Sequence, residues 1–189
     1  MVAVLLFVPL AYLLLPGAHS VSSRQASPHL ALTSANKPAP DSPQAAAIAA
    51  VQAKTGLKYA SKCTGTGACL SMTGQTMGQN AAAVVFSTAA KGGRECAAYV
   101  VQSSGKWRSL DTACGLPGQV TPLVGHDATV HVPGNCANVR DAANLQAGVV
   151  ACLHDGATVK VDRGPVYADG LIWWHLSNGW MAHDFLVGP

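Results

Sequence analysis

The chain has 189 residues, 49% of them hydrophobic and only 11% charged, with a formal net charge of +3. That balance excludes wholesale disorder, and the length suits one ordinary domain or two small ones. The apolar runs fall short of the ~20 residues of a spanning helix, which excludes a multi-span membrane protein, and the charge is too small to imply nucleic acid.

Residues 1–20 read as a signal peptide or N-terminal anchor. Val2 to Leu15 is almost unbroken apolar sequence, followed by Pro16-Gly17 and then Ala18-His19-Ser20. An apolar core, a breaker and a small-x-small triplet predict export, with cleavage near Ser20. The first charge is Arg24, so the usual basic residue before the apolar core is missing. Residues 21–41 are rich in Ser, Pro, Ala and Asn without apolar periodicity, the pattern of a flexible linker.

Residues 42–118 predict a small α+β module. Ser42-Pro43 supplies an N-cap and a first helical residue, Ala45 to Lys54 continues with good helix formers, and Gly56 marks the stop. Ile48 and Val51 share a helix face. The Gly- and Thr-rich stretch Thr64–Gly67 and Ser71–Gly78 reads as loop and hairpin. Strand-like runs follow at Ala83–Ser87, Ala97–Gln102 and Trp107–Thr112, joined across Lys91-Gly92-Gly93 and Ser104-Gly105. One helix plus an antiparallel meander is the expected architecture.

Residues 119–189 predict an all-β module. Strand signals come at short spacing: Thr129–Val132, Ala137–Arg140, Val149–Leu153, Thr158–Val161, Leu171–Leu176 and Trp180–His183. Asn178-Gly179 predicts a type I′ hairpin turn placing Leu176 opposite Met181. Alternation then puts Trp174, Leu176 and Met181 on a core face with Val139, Val150, Val159 and Val161, and Trp173, His175 and Trp180 on the other face.

Charge divides unevenly. Residues 45–118 carry seven bases against two acids, and residues 119–189 three bases against six acids. The halves can dock on each other, the basic half can face an anionic surface polymer, or both can simply be solvated.

The six cysteines are Cys63, Cys69, Cys96, Cys114, Cys136 and Cys152. Export predicts oxidation, and the simplest of the fifteen pairings is sequential: 63–69, 96–114 and 136–152. A zinc knuckle needs two to four residues between paired cysteines, whereas Cys63 and Cys69 have five between them. His126 and His131 sit at an odd separation that sends strand side chains to opposite faces. His154, His175 and His183 are isolated in sequence. No metal or cofactor is expected.

A run of motifs in residues 125–189 is more specific than the strand spacing. In order they are Asn138-Val139-Arg140-Asp141, Val149-Val150, Asp155-Gly156-Ala157-Thr158-Val159-Lys160-Val161, Trp173-Trp174-His175-Leu176 and Asn178-Gly179-Trp180-Met181 through Phe185-Leu186. In this register the segment resembles the bacterial SH3-like domain of exported and cell-wall-associated proteins. Two departures are Phe185, where the family often has Tyr, and Asp141–Leu145, which lacks the usual Ser-Gly-Pro. The resemblance implies an SH3-like barrel with a ligand groove lined by Trp173. Tyr167, Trp180, Asp141 and Asn144 are candidate contacts, since an aromatic shelf edged by a carboxylate suits a peptide or sugar-peptide. No comparable resemblance attaches to residues 42–118.

The function expected is therefore that of an exported, non-catalytic protein binding cell-wall or other extracellular peptide or glycan. One alternative is an extracellular inhibitor or protein-interaction module with a protein partner. Another is a cell-wall hydrolase, but residues 45–118 contain no histidine and only Glu95 and Asp111 as acids, too few for more than a single carboxylate pair.

Overall fold

A computed structural model describes residues 40–64, 67–89 and 93–188; the segments expected as leader and, for the most part, as linker, and the Lys91-Gly92 part of one turn, lie outside them. Helix α1 spans Pro43–Thr55, with Ser42 accepting a hydrogen bond from the Ala45 N–H and Gly56 closing the end at φ 71°. Pro43, Ala46, Ala47 and Val51 form its buried stripe. Ile48 packs beside them.

Four strands follow in an antiparallel sheet of order β1-β2-β3-β4: β1 Ala68–Met77, β2 Ala81–Ala89, β3 Glu95–Ser103 and β4 Lys106–Gly115. The Gly- and Thr-rich stretch expected as loop and hairpin is thus largely β1. It lies at the edge of the sheet, where partial exposure and two register shifts tolerate Gly74 and the polar residues. The β3–β4 hairpin has Ser104 and Gly105 at φ 50° and 74°, both positive as a type I′ turn demands.

The second sheet has seven strands: β5 Asp127–Val130, β6 Cys136–Arg140, β7 Val149–His154, β8 Thr158–Ala168, β9 Leu171–Leu176, β10 Gly179–Ala182 and β11 Leu186–Val187. A 3-10 turn, His183–Phe185, joins the last two. Their order is β11-β5-β8-β9-β10-β6-β7, antiparallel throughout and not closed. The six expected strands fall on β5 to β10. The β9–β10 turn is shifted by one residue: Leu176 pairs with Gly179 and Met181 with Trp174. Ser177 and Asn178 form the turn, and the positive φ, 149°, falls on Gly179. A Cβ there would lie 2.5 Å from the Arg140 carbonyl oxygen and 2.9 Å from a Val139 methyl. Glycine is required so that β10 can close on β6.

The expected inner face holds, with one exception. Trp174, Leu176, Met181, Val139 and Val161 are buried together and Val159 packs against them. Val150 is 53% exposed. The ladder pairs Val139 with Ala151 but Arg140 with Val149, so Val150 is the extra residue of a bulge and turns outward.

The sequence left open whether the two halves pack, and the residues of β2 and β3 answer it. Their even side, including Val84, Phe86, Ala98 and Val100, packs under α1. Their odd side, Ala81, Ala83, Tyr99 and Val101, joins Trp174, Leu176 and Met181 of the second sheet in one core. Both sheets belong to one compact unit. Asn80 fastens the seam: its amide nitrogen donates to the Tyr167 carbonyl at 2.8 Å, and its amide oxygen accepts from the Tyr167 N–H at 2.9 Å.

All six cysteines are paired sequentially, Cys63–Cys69, Cys96–Cys114 and Cys136–Cys152, with Cα separations of 5.9, 4.0 and 5.4 Å. Cys96 and Cys114 are direct cross-strand partners. Three such pairs fit an oxidising, extracytoplasmic setting. Among the described residues no helix is long and apolar enough to cross a membrane.

Candidate functional site

A groove of about 300 Å³ opens where β6, β9, β10, the β6–β7 loop and the 3-10 turn converge. Its walls include Asn138, Arg140, Leu145, Trp173, Asp184 and Phe185. Strand alternation explains the first pair: Val139 faces the core, so its neighbours Asn138 and Arg140 face outward. Arg140 also shapes the loop, donating from Nη1 to the Ala147 carbonyl at 2.8 Å. Trp173 is only 1% exposed and its Nε1 donates to the Ala168 carbonyl at 3.1 Å. It is a fixed floor rather than an open shelf. The accessible apolar surface comes from Leu145, 45% exposed, and Phe185, 37% exposed.

The other sequence-expected contacts lie elsewhere. Asp141 and Asn144 brace the β6–β7 loop: the Asp141 N–H donates to the Gly148 carbonyl at 2.9 Å, and Asn144 Oδ1 accepts from the Gln146 N–H at 3.0 Å. Neither is among the groove walls. Tyr167 sits in the seam between the sheets, its hydroxyl accepting from Arg108 Nη2 at 3.2 Å with the guanidinium 5.7 Å from its ring. Trp180 lies beyond Trp173 on the same face of β9 and β10 and lines a separate pocket.

A buried hydroxyl and a partly buried imidazole mark the seam. Tyr99 is fully buried and its hydroxyl bonds the Thr121 hydroxyl; burial pushes its pKa well above the ordinary value, against that bond. His183 stacks on Tyr99 with ring centroids 4.1 Å apart. Its Nδ1 is buried without a hydrogen-bond partner. Burial holds the His183 pKa below 6.5, opposed by Asp184 and Asp111. The folded state thus binds this proton more weakly than the unfolded chain, so the contribution is intact above about pH 6.5 and is lost as pH falls below it. The urea midpoint of the protein is expected to drop between pH 7.5 and 5.5 more steeply than that of His183→Phe. Equal slopes would contradict this.

Among the described residues no cluster of three or more His, Cys, Asp or Glu is placed to hold a metal ion. Glu95 pairs with Gly115 and Asp111 with Tyr99 across β3 and β4. Comparison with known proteins found no matching family model, no matching curated protein and no matching solved structure.

Proposed function

We propose that this is an exported, non-catalytic protein whose second sheet is an SH3-like module and whose groove takes a short cell-wall peptide. The observation that carries the reading is the groove itself. Apolar side chains, Trp173, Leu145 and Phe185, line it together with a guanidinium, Arg140, and a carboxylate, Asp184. Opposite charges together with apolar side chains suit a peptide bearing both ammonium and carboxylate groups. The three disulfides and the leader-like residues 1–20 support an extracytoplasmic location.

The experiment is co-sedimentation of the oxidised protein with purified insoluble cell wall. Leu145→Asp and Phe185→Ala alter exposed side chains at the groove and leave the core intact. Leu145→Asp is expected to lower binding about tenfold, the effect of an unpaired charge at an apolar contact. Binding that survives both substitutions but vanishes in salt would assign the interaction to the basic residues of the first sheet instead. Absence of binding would favour a protein partner and the inhibitor reading.

A further inference from the structure

A second pocket, of about 470 Å³, lies where the β1–β2 turn meets the bend of β8. Its walls include Thr76, Met77 and Gln79 from the first sheet, and Asp162, Arg163 and Trp180 from the second. Neither sheet forms it alone. The turn is held in place by Asn80 on the Tyr167 backbone. Gly78 lies so close to the Pro165 carbonyl that a Cβ there would overlap it.

The polar side of this pocket is preorganised. His175 Nδ1 meets Asp162 Oδ1 at 2.5 Å and its Nε2 meets Arg163 Nη2 at 2.9 Å. A guanidinium only donates, so Nε2 accepts and Nδ1 carries the proton given to Asp162. The Trp180 ring packs edge-to-face on His175 with centroids 5.0 Å apart, and the Arg163 guanidinium carbon lies 5.8 Å from the Trp180 ring centre. The indole is therefore held in place, and it lines the pocket together with a guanidinium, a carboxylate and the exposed residue Gln79. Met77, 49% exposed, and Val124 form an apolar rim.

We infer that this pocket binds a saccharide bearing an N-acetyl group. A sugar ring presents an apolar C–H face, which stacks on an indole, and a rim of hydroxyls. Planar guanidinium, carboxylate and amide groups pair with those hydroxyls. The acetamido methyl seats on Met77 and Val124, and its N–H and carbonyl pair with Gln79. This site stands on residues distinct from the Trp173 groove, so either assignment can fail without the other.

The test is calorimetric titration of the oxidised full chain with chitotetraose, and with cellotetraose, which lacks the acetamido group. Saturable chitotetraose binding is expected. Trp180→Ala should weaken it about tenfold and Gln79→Ala about fivefold, while Leu145→Asp in the other groove should leave it unchanged. If Trp180→Ala does not fold, Gln79→Ala and Met77→Asp, both at exposed side chains, decide in its place. Failure of chitotetraose to bind, or affinities unchanged in these variants, would overturn the proposal. Equal affinity for cellotetraose would overturn the acetamido assignment.

Discussion

Full reduction of the three cystines is expected to lower the melting temperature by roughly 15–30 °C. The pairs enclose short loops, with sequence separations of 6, 18 and 16 residues. Chain entropy assigns each about 2–3 kcal/mol, or about 8 kcal/mol together, comparable to the 5–15 kcal/mol by which a whole domain is usually stable. The Cys96–Cys114 pair should matter most. It joins directly opposed residues of β3 and β4, and Cys96 is fully buried under α1. The measurement is a circular-dichroism melt with and without a phosphine reductant, alongside a Cys96→Ala/Cys114→Ala double variant. A shift below about 5 °C on full reduction would show that the chain holds itself without its cross-links.

Trp174→Ala should cost about 3–5 kcal/mol. Trp174 is fully buried and sits in the core shared by both sheets, among Tyr99, Val139, Val161 and Met181. Removing the indole leaves a cavity against two rigid sheets, which collapse poorly around it. Trp174→Phe should cost much less. The smaller ring keeps most of the buried apolar surface and forfeits only part of the volume. Urea unfolding of the two variants provides the comparison. A Trp174→Ala cost below about 1.5 kcal/mol, or equal costs for both substitutions, would contradict the shared core.

Much of the fold was written in local sequence. The helix ends were legible because Ser42, Pro43 and Gly56 each act within one turn of themselves. The sequential disulfides were legible because they link neighbouring segments. The β9–β10 turn was misplaced by one residue because glycine can serve either a turn or a close approach. Gly179 serves the second, against the Arg140 carbonyl on another strand, a long-range demand that no local pattern carries. The strand β1 was missed because an edge strand with bulges lacks clean alternation. The docking of the two sheets did leave a trace. Ala81 to Phe86 and Cys96 to Val101 are continuous apolar runs, the mark of strands covered on both faces.

The residues that line the groove are less legible than the fold. The sequence pattern marks Trp173 as an outward-facing aromatic, whereas its burial involves a hydrogen bond from Nε1 to the Ala168 carbonyl that the strand period does not carry. Tyr167 and Trp180 are near Trp173 in sequence yet face the seam and the second pocket. Asn138 and Arg140 were accessible to reasoning, since a core-facing Val139 dictates their direction. Phe185 and Asp184 were not, because the 3-10 turn that brings them to the groove interrupts the strand period.

The most direct test of the central claim is an amide chemical-shift titration of the isotopically labelled, oxidised protein with soluble peptide fragments released from cell wall. The groove predicts perturbations concentrated on Asn138, Arg140, Leu145, Asp184 and Phe185, saturating with one affinity and lost in Leu145→Asp. Shifts clustered instead on Lys54, Lys58 and Arg94, or no shifts at saturating peptide, would contradict the assignment of the groove as a peptide site.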